Sequence, residues 1–385
     1  LYLTVTSGSI QPISMTNINI SHVLLVGACV RPAAESAHAA GYTVTAIDLF
    51  GDSDTRKVAE GQTLSDYPHG IYNVVRKYNP DAICFTGALE NHPSVVQSLR
   101  TVAPVFAPTE EAIANVRSPE SLQRILAEEG FNTPAIAMTS PANNGLEGNW
   151  LVKPLLSAAG LNIQPYTFGH SIPAGFYLQQ FVAGITMSAS FLVRAEQTTL
   201  LGFTEQFNRD NCFQFCGAVT GTLEENQVTS LERLGTLLRR LKLYGLLGVD
   251  FILTNDGEIY ILEVNPRYTA TMELLEPCWQ APLLQYHIES FTGEHTALKQ
   301  VSNSPNSGKL IIYAQESCHI DDHKHRRLTR LAADQGVKLS DLPFADTKIE
   351  AGHPILTVLA SCQSPPQIKA ALDDVEEQIQ AILVN

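Results

Sequence analysis

The sequence predicts an α/β protein built in several parts, and three observations carry that prediction. The first hundred residues or so alternate strand-like and helix-like runs, as a parallel sheet with crossover helices requires. A stretch from Gly245 to Glu276 breaks the alternation with two β-rich runs around Asn255-Asp256-Gly257. At 385 residues and 44% hydrophobic, the chain has length and apolar mass for about two to three domains.

Composition narrows the class. The formal net charge is -14 with only 25 Lys and Arg scattered along the chain, which argues against a nucleic-acid partner, because phosphate contacts need clustered cations. An acidic protein can still bind a small anion through a local basic site. No apolar run approaches the roughly 18 residues of a membrane span, and no basic segment followed by an apolar core opens the chain. No membrane partner and a cytoplasmic location are therefore expected. The 7 cysteines are odd in number and imply no disulfide framework. Cys212 and Cys216 are the only close pair, and without a second pair they read as packing or loop thiols rather than a zinc site.

Residues 1–20 are set apart, because Leu1 to Ser14 is rich in Ser and Thr without periodicity, as an upstream extension or a vector-derived leader would be. From His22 the chain reads HVLLVGA, then VRPAAESAHAAG, then YTVTAIDLF: strand, helix ended by Gly41, strand. GIYNVVRKY as helix, DAICFTGA as strand and SVVQSLRTV as helix continue the pattern, with Val105-Phe106 as a last short strand. Gly27 follows the first strand, but Gly27-Ala28-Cys29 lacks the further glycines of a dinucleotide fingerprint and reads as a close-packing turn. Arg31 and Asp52 to Arg56 fall at strand ends, as substrate contacts or as surface polar residues.

Ser118-Pro119-Glu120 opens a helix as N-cap, N1 and N2 should, and Gly130 ends it. Trp150 to Gln164 reads strand, loop, strand, with Lys153 closing the first strand. Tyr177 to Gly184 is a strand ending in a glycine turn. Two more strand-like runs, MSASFLV and TTLLGFTEQF, lead into a polar loop from Asn208 to Gly221, where Arg209 faces solvent or an anionic substrate. Leu231 to Leu243 is an amphipathic helix whose apolar side should pack on the next sheet, leaving Arg233, Arg239, Arg240 and Lys242 solvated.

That sheet holds the chemistry. Gly248–Thr254 and Glu258–Val264 are joined by Asn255-Asp256-Gly257, which favours a tight hairpin turn. Alternation puts Glu263 and Asn265 on one face, with Arg267 on the same side if the strand continues past Pro266. Reflection about Asp256 sets Asp250 opposite position 262, within a residue of Glu263. Two carboxylates and an amide oxygen suit Mg2+, and Arg267 offers a fork of donors for phosphate or carboxylate oxygens. A solvated hairpin is the alternative on spacing alone. After Arg267 the chain turns helical with breaks at Pro277 and Pro282. Ser302 to Ser307 reads as a linker, leading to strands capped by a terminal helix. His319, Asp321, Asp322, His323 and His325 read as a surface loop ahead of a metal site.

The hairpin string resembles the metal-binding strand pair of ATP-grasp ligases, which carry Asp on one strand and Glu-x-Asn on the next, often as Glu-x-Asn-Pro-Arg. The resemblance implies an ATP-grasp fold, with ATP and Mg2+ (or Mn2+) as cofactors. It puts Asp250, Glu263 and Asn265 in the metal positions and Arg267 at the transferred phosphoryl or acyl-phosphate. Lys153 resembles the lysine on the nucleotide phosphates, with Ser157 and Gly160 in the loop covering them. That loop supplies one glycine where many relatives have more. Gln180, Phe181 and Val182 resemble the hinge receiving adenine, with Gln180 where Glu is common.

The strings SAHAAGYTVTAIDLFGDSDTR, NPRYTATMELLE and DLPFADTKIEAGHPILTVLAS extend the likeness to a branch of predicted carboligases associated with methanopterin- and furan-type C1 carriers. The implied domains are a parallel α/β domain at 21–106, a small nucleotide-binding subdomain with its linker helix at 107–182, a large subdomain with the metal site at 183–301 and a β-rich C-terminal subdomain at 302–385. The implied function is an ATP-dependent carboxylate-amine ligase acting through an acyl-phosphate on small-molecule carboxylate and amine substrates, by analogy a homodimer. A bicarbonate-using carboxylase and a nucleotide-binding regulator without turnover are the alternatives.

Overall fold

The computed structural model describes residues 19–139, 148–209, 212–302 and 304–384. The extension expected over Leu1 to Ser14 lies outside them, as do positions 210 and 211 of the polar loop and 303 of the linker.

The N-terminal alternation folds as the sequence predicts. Strands β1 (His22–Val26), β2 (Thr43–Asp48), β3 (Glu60–Thr63) and β4 (Ala82–Phe85) form a parallel sheet in the order β3-β2-β1-β4, and Val105 adds a parallel bridge to Ile83. β1 is a run of four buried residues, Val23 to Val26, as a strand covered on both faces needs. One face packs on helix Arg31–Ala39, and the other on helices Ile71–Val75 and Pro93–Leu99. The short edge strand β3 is not anticipated by the sequence, since Glu60-Gly61-Gln62-Thr63 carries no apolar alternation. Gly27 is a close-packing glycine: a Cβ there would meet Thr86 Oγ1 at 2.2 Å.

Two helices lead out of this domain. Helix Glu110–Arg117 is capped by Thr109, and helix Pro119–Glu128 by the Ser118 hydroxyl, which accepts from Ser121 N–H with Pro119 in the first turn. A small antiparallel sheet comes next, in the order β5 (Ile136–Ala137), β8 (Phe176–Gln180), β6 (Trp150–Pro154), β7 (Gln164–Pro165).

The third layer is an eight-stranded sheet that carries the hairpin. It contains β9 (Ile185–Val193), β10 (Thr198–Asn208), β11 (Phe215–Thr220), β12 (Gly245–Leu253), β13 (Ile259–Asn265), β14 (Asn306–Tyr313), β16 (Lys338–Ser340) and β18 (Pro354–Cys362), in the order β13-β12-β9-β10-β11-β14-β18-β16. β15 (Cys318–Ile320) and β17 (Thr347–Ile349) pair separately. Helix Glu225–Arg240 covers the hairpin end, burying Leu231, Leu234 and Leu238 against Phe191 and Val249. Its basic face is solvated as expected, Arg233, Arg240 and Lys242 being exposed, with Arg240 pairing to Glu129 and Arg233 lying over the Phe131 ring. Helix Pro365–Val384 covers the other end through Ile368, Leu372 and Val375. β14 starts inside the stretch that reads as linker and bonds to β11, so the sheet runs continuously across residue 302. Asp321 is the N-cap of helix Asp322–Gln335, accepting from Lys324 N–H. The cluster that reads as a surface loop is therefore the end of a strand and the first turns of a helix: His319 lies in β15, and Asp322, His323 and His325 lie in the helix that Asp321 caps.

Candidate active site

A cleft of about 880 Å³ opens where the parallel sheet, the small sheet and the long sheet meet. The hairpin β12–β13 forms its floor. Pairing obeys the reflection about Asp256 for Phe251↔Ile261, Ile252↔Tyr260 and Leu253↔Ile259, and then a β-bulge leaves Leu262 unpaired and sets Asp250 opposite Glu263. A bulge inserts one residue and re-aims the side chains beyond it. Here it brings the two carboxylates to one point: the Asn265 amide donates from Nδ2 to Asp250 Oδ2 at 2.9 Å and to Glu263 Oε1 at 3.2 Å. Gln206, from β10, donates to the other Asp250 oxygen at 2.8 Å.

Two carboxylates this close resist ionising together. Burial, and then the Glu263 charge, push the Asp250 carboxyl up to about 7. Burial acts on Glu263 the same way, but Arg117 and Lys153 outweigh it and hold its carboxyl below the usual range. The residues fit a divalent cation: two carboxylate oxygens converge on a point now taken by an amide N–H₂, and rotating that amide by a half-turn would offer its oxygen instead.

Three cations approach from three elements. Lys153, on β6, donates to Gln179 Oε1 at 2.9 Å; burial holds its ammonium pKa down, while Glu263 and Asp250 raise it. Arg267 lies just past β13 but not as strand, since its N–H turns back to the Asn265 carbonyl at 2.8 Å. Its Nε donates to Glu90 Oε1 at 2.7 Å, and its side chain is 11% exposed. Arg117 closes the helix leading from the N-terminal domain. Its Nη1 reaches Asn265 Oδ1 at 3.2 Å and Glu263 Oε2 at 3.5 Å, and its Nη2 reaches the Ser157 carbonyl at 3.3 Å and Asn91 Oδ1 at 2.9 Å.

Arg117, Gln206, Glu90 and Asn91 are not legible as site residues in the sequence. Arg117 ends an ordinary capped helix, and Gln206 lies in a strand of alternating polar residues. Only their distant partners mark them.

The loop after β6 closes despite its single glycine. Ala159 (φ 55°), Gly160 (φ 68°) and Asn162 (φ 61°) all take the left-handed region, so the loop obtains its curvature from an alanine and an asparagine as well as a glycine. Gly160 is obligatory for a second reason, because a Cβ there would lie 1.8 Å from the Phe213 carbonyl. Ala159 O accepts from Phe215 N–H at 3.0 Å, which ties the loop to the segment before β11. The Ser157 hydroxyl is spent on the Leu161 carbonyl at 3.0 Å. At the other end of the small sheet, Gln180, Phe181 and Val182 line the cleft. The Phe181 N–H is given to Asn149 O at 2.8 Å.

The opposite end of the cleft is lined by Cys29, Thr86, Thr269, Thr271, Thr357 and Asp341. Behind it lies Arg31, 0% exposed, bonded to Glu273 and Asp341. Arg31 is thus a buried junction and not a lining residue. Arg209 is not itself a lining residue but packs at 4.6 Å on the ring of Tyr313, which is. Cys212 is exposed, Cys216 is buried, and neither is in a disulfide.

Known proteins share this architecture. A family model described as an ATP-grasp domain matches residues 120–271. Carboxyaminoimidazole ribonucleotide synthase from Aspergillus clavatus, solved with ATP, superposes with a TM-score of 0.70 at 12% identity, over 94% of this chain and 99% of that one. The biotin carboxylase domain of Hydrogenobacter thermophilus 2-oxoglutarate carboxylase, solved with MgADP, ADP and bicarbonate, gives 0.69 at 12% identity, over 93% and 90%. L-amino acid ligase from Bacillus licheniformis gives 0.68 at 16% identity, over 94% and 98%. At these identities the likeness is one of fold: residues 120–271 match an ATP-grasp domain, and the chain shares the overall fold of these proteins. Among the described residues no helix is long and apolar enough to cross a membrane.

Proposed function

We propose that the protein is an ATP- and Mg2+-dependent ligase that joins a carboxylate to an amine through an acyl-phosphate. The observation that carries this reading is the convergence of Asp250 and Glu263 on one point, with Lys153, Arg117 and Arg267 arriving from three separate elements. Phosphoryl transfer asks a protein for positioning and charge neutralisation rather than covalent chemistry. In this reading the adenine lies along Gln180 to Val182 and the phosphates lie under the Ser157–Gly160 loop. Lys153 and Arg117 hold phosphate oxygens. Asp250, Glu263 and Asn265 hold the cation, which when bound screens the charge between the terminal phosphates. Arg267 steadies the substrate carboxylate as it takes the phosphoryl group. The amine, having given a proton to solvent, then attacks the acyl carbon, and phosphate leaves from it. No protein nucleophile is required.

The finer reading has glutamate joined to an aromatic amine in the making of a C1 carrier, and rests on the three strings that resemble the carboligase branch. A second reading, carboxylation of an amine by phosphorylated bicarbonate, is favoured by the fold likeness to a carboxylase domain solved with bicarbonate. A homodimer in the cytoplasm remains part of the proposal.

The test is a screen for ADP and phosphate release from ATP, beginning with glutamate and tyramine-like amines, beside a parallel arm with labelled bicarbonate. Amine-dependent ADP release with amide product supports the ligase, and label in the product supports carboxylation. Tight nucleotide binding with no ADP above background for any amine, amino acid or bicarbonate would leave a regulator instead.

A further inference from the structure

The N-terminal domain reaches the phosphate end of the cleft at a single turn. Ala88 takes the left-handed region (φ 70°), Leu89–Asn91 form one 3-10 turn, and all three of its residues are buried. Adjacent side chains of this turn hold different arginines. Glu90 Oε1 accepts from Arg267 Nε at 2.7 Å. Asn91 Oδ1 accepts from Arg117 Nε at 3.1 Å and Nη2 at 2.9 Å, and its amide donates to the Ser157 carbonyl at 3.0 Å.

Docking of the two domains does not explain Glu90. Its side chain is 0% exposed, and Oε2 has no hydrogen-bond partner among the described residues. A carboxylate oxygen withheld from water without a partner lowers stability, so a glutamine or an apolar residue would serve a packing role better. What only a carboxylate supplies is a fixed negative charge against one edge of Arg267. With Nε held there and Nη1 at 3.4 Å from the Tyr268 carbonyl, the guanidinium plane is set and Nη2 has no protein acceptor among the described residues.

We propose that Glu90 and Asn91 are positioning residues of the active site, fixing the guanidinium groups of Arg267 and Arg117, so that the centre is incomplete without the N-terminal domain. The role given to the arginines rests on the ligase reading. The same turn faces the cleft through Thr86, Gly87, Ala88 and His92, so a substrate seated on it touches the element that aims both arginines.

The experiment uses the full chain with Glu90→Ala, Glu90→Gln, Arg267→Ala and the Glu90→Ala/Arg267→Ala double variant. ADP release is measured with ATP, glutamate and hydroxylamine, a small nucleophile that traps acyl-phosphates. Glu90→Ala is expected to lower kcat by about 10- to 100-fold, the scale of a small misplacement at a reacting centre, with KM for ATP changed less than about 2-fold. Glu90→Gln, which keeps an acceptor oxygen, should recover part of that loss. In the Arg267→Ala background the Glu90 substitution should add less than about 2-fold, because a residue acting through another has nothing left to act on. Wild-type kcat in Glu90→Ala, or losses that multiply in the double variant, would overturn the proposal.

A second readout is independent of turnover. In ¹⁵N-arginine-labelled protein the Arg267 Nε–H resonance, identified by its loss in Arg267→Lys, should move toward the free-arginine position in both Glu90 variants. An unmoved resonance overturns the positioning role even if the wild type releases no ADP, an outcome that by itself counts against the ligase reading alone.

Discussion

Arg117 is the residue on which the site's electrostatics turn. It touches Glu263, Asn265 and the Ser157 carbonyl together, linking carboxylates to the loop above them. Arg117→Ala is expected to weaken Mg-ATP binding about 10-fold or more, as loss of a charge-assisted contact does, and titration calorimetry would measure it; unchanged affinity would remove Arg117 from the phosphate site. The carboxylate pair gives an opposite-signed result for stability and function. Asp250 and Glu263 meet across one amide, so neutralising one relieves repulsion in the folded, metal-free chain. Asp250→Asn should therefore hold or raise the melting temperature in metal-free buffer while reducing Mg2+-dependent ADP release by about 100-fold or more. A drop in both would show that the pair stabilises the fold rather than serving a ligand. None of this could be read from Arg117 itself, because its partner Glu263 lies 146 residues away. Asp250 and Glu263, by contrast, share one hairpin whose turn names itself in Asn-Asp-Gly.

At the scale of elements, that hairpin shows how far a local pattern reaches. The turn residues dictate the pairing sum, and Phe251, Ile252 and Leu253 obey it. The bulge at Leu262 departs from it, and no local pattern encodes that departure. The parallel sheet is legible almost strand for strand because its apolar runs are separated by helix caps and glycines. β3 is not, because an edge strand needs no apolar alternation, and the unbroken passage of the long sheet across residue 302 is hidden because turn-rich letters around it look like a linker. Helix Leu283–Thr292 carries a further consequence. His287 is 4% exposed and locks three parts together: Leu246 N–H donates to its Nδ1 at 2.9 Å, and its Nε2–H donates to the Phe106 carbonyl at 3.0 Å. Burial lowers its pKa to about 4, against the Phe106 carbonyl, whereas in the unfolded chain it titrates near 6.5. The unfolded state thus takes up the proton first, so this residue's contribution is intact above pH of about 6.5 and is lost as pH falls toward 4. Urea unfolding across that window should show the loss, and His287→Gln should flatten the slope by about one proton; an unchanged slope would mean that the ring does not titrate with folding.

At the scale of the whole molecule, an ionic junction behind the cleft joins three parts of the chain. Arg31 from the N-terminal domain bonds Glu273, past the hairpin, and Asp341 from the last third of the chain, and Glu273 in turn bonds Lys309. Glu35 and Asp54 also lie against Arg31, and the contact with Glu273 joins residues 242 apart, far beyond what periodicity could suggest. Removing one member of a buried set leaves an uncompensated charge, so Arg31→Met is expected to lower the unfolding free energy by about 3–5 kcal/mol. The partners dictate which second change restores it. Glu273 still has Lys309, whose Nζ bonds its Oε1, whereas Asp341, 20% exposed in its side chain, leans on Arg31 through Oδ1 at 2.9 Å and Oδ2 at 3.2 Å. Arg31→Met with Asp341→Asn keeps the Glu273–Lys309 pair and should recover part of the loss in urea unfolding, while Arg31→Met with Glu273→Gln breaks that pair as well and should recover less. Equal stability of the two double variants would mean that shape, rather than charge balance, joins the three regions.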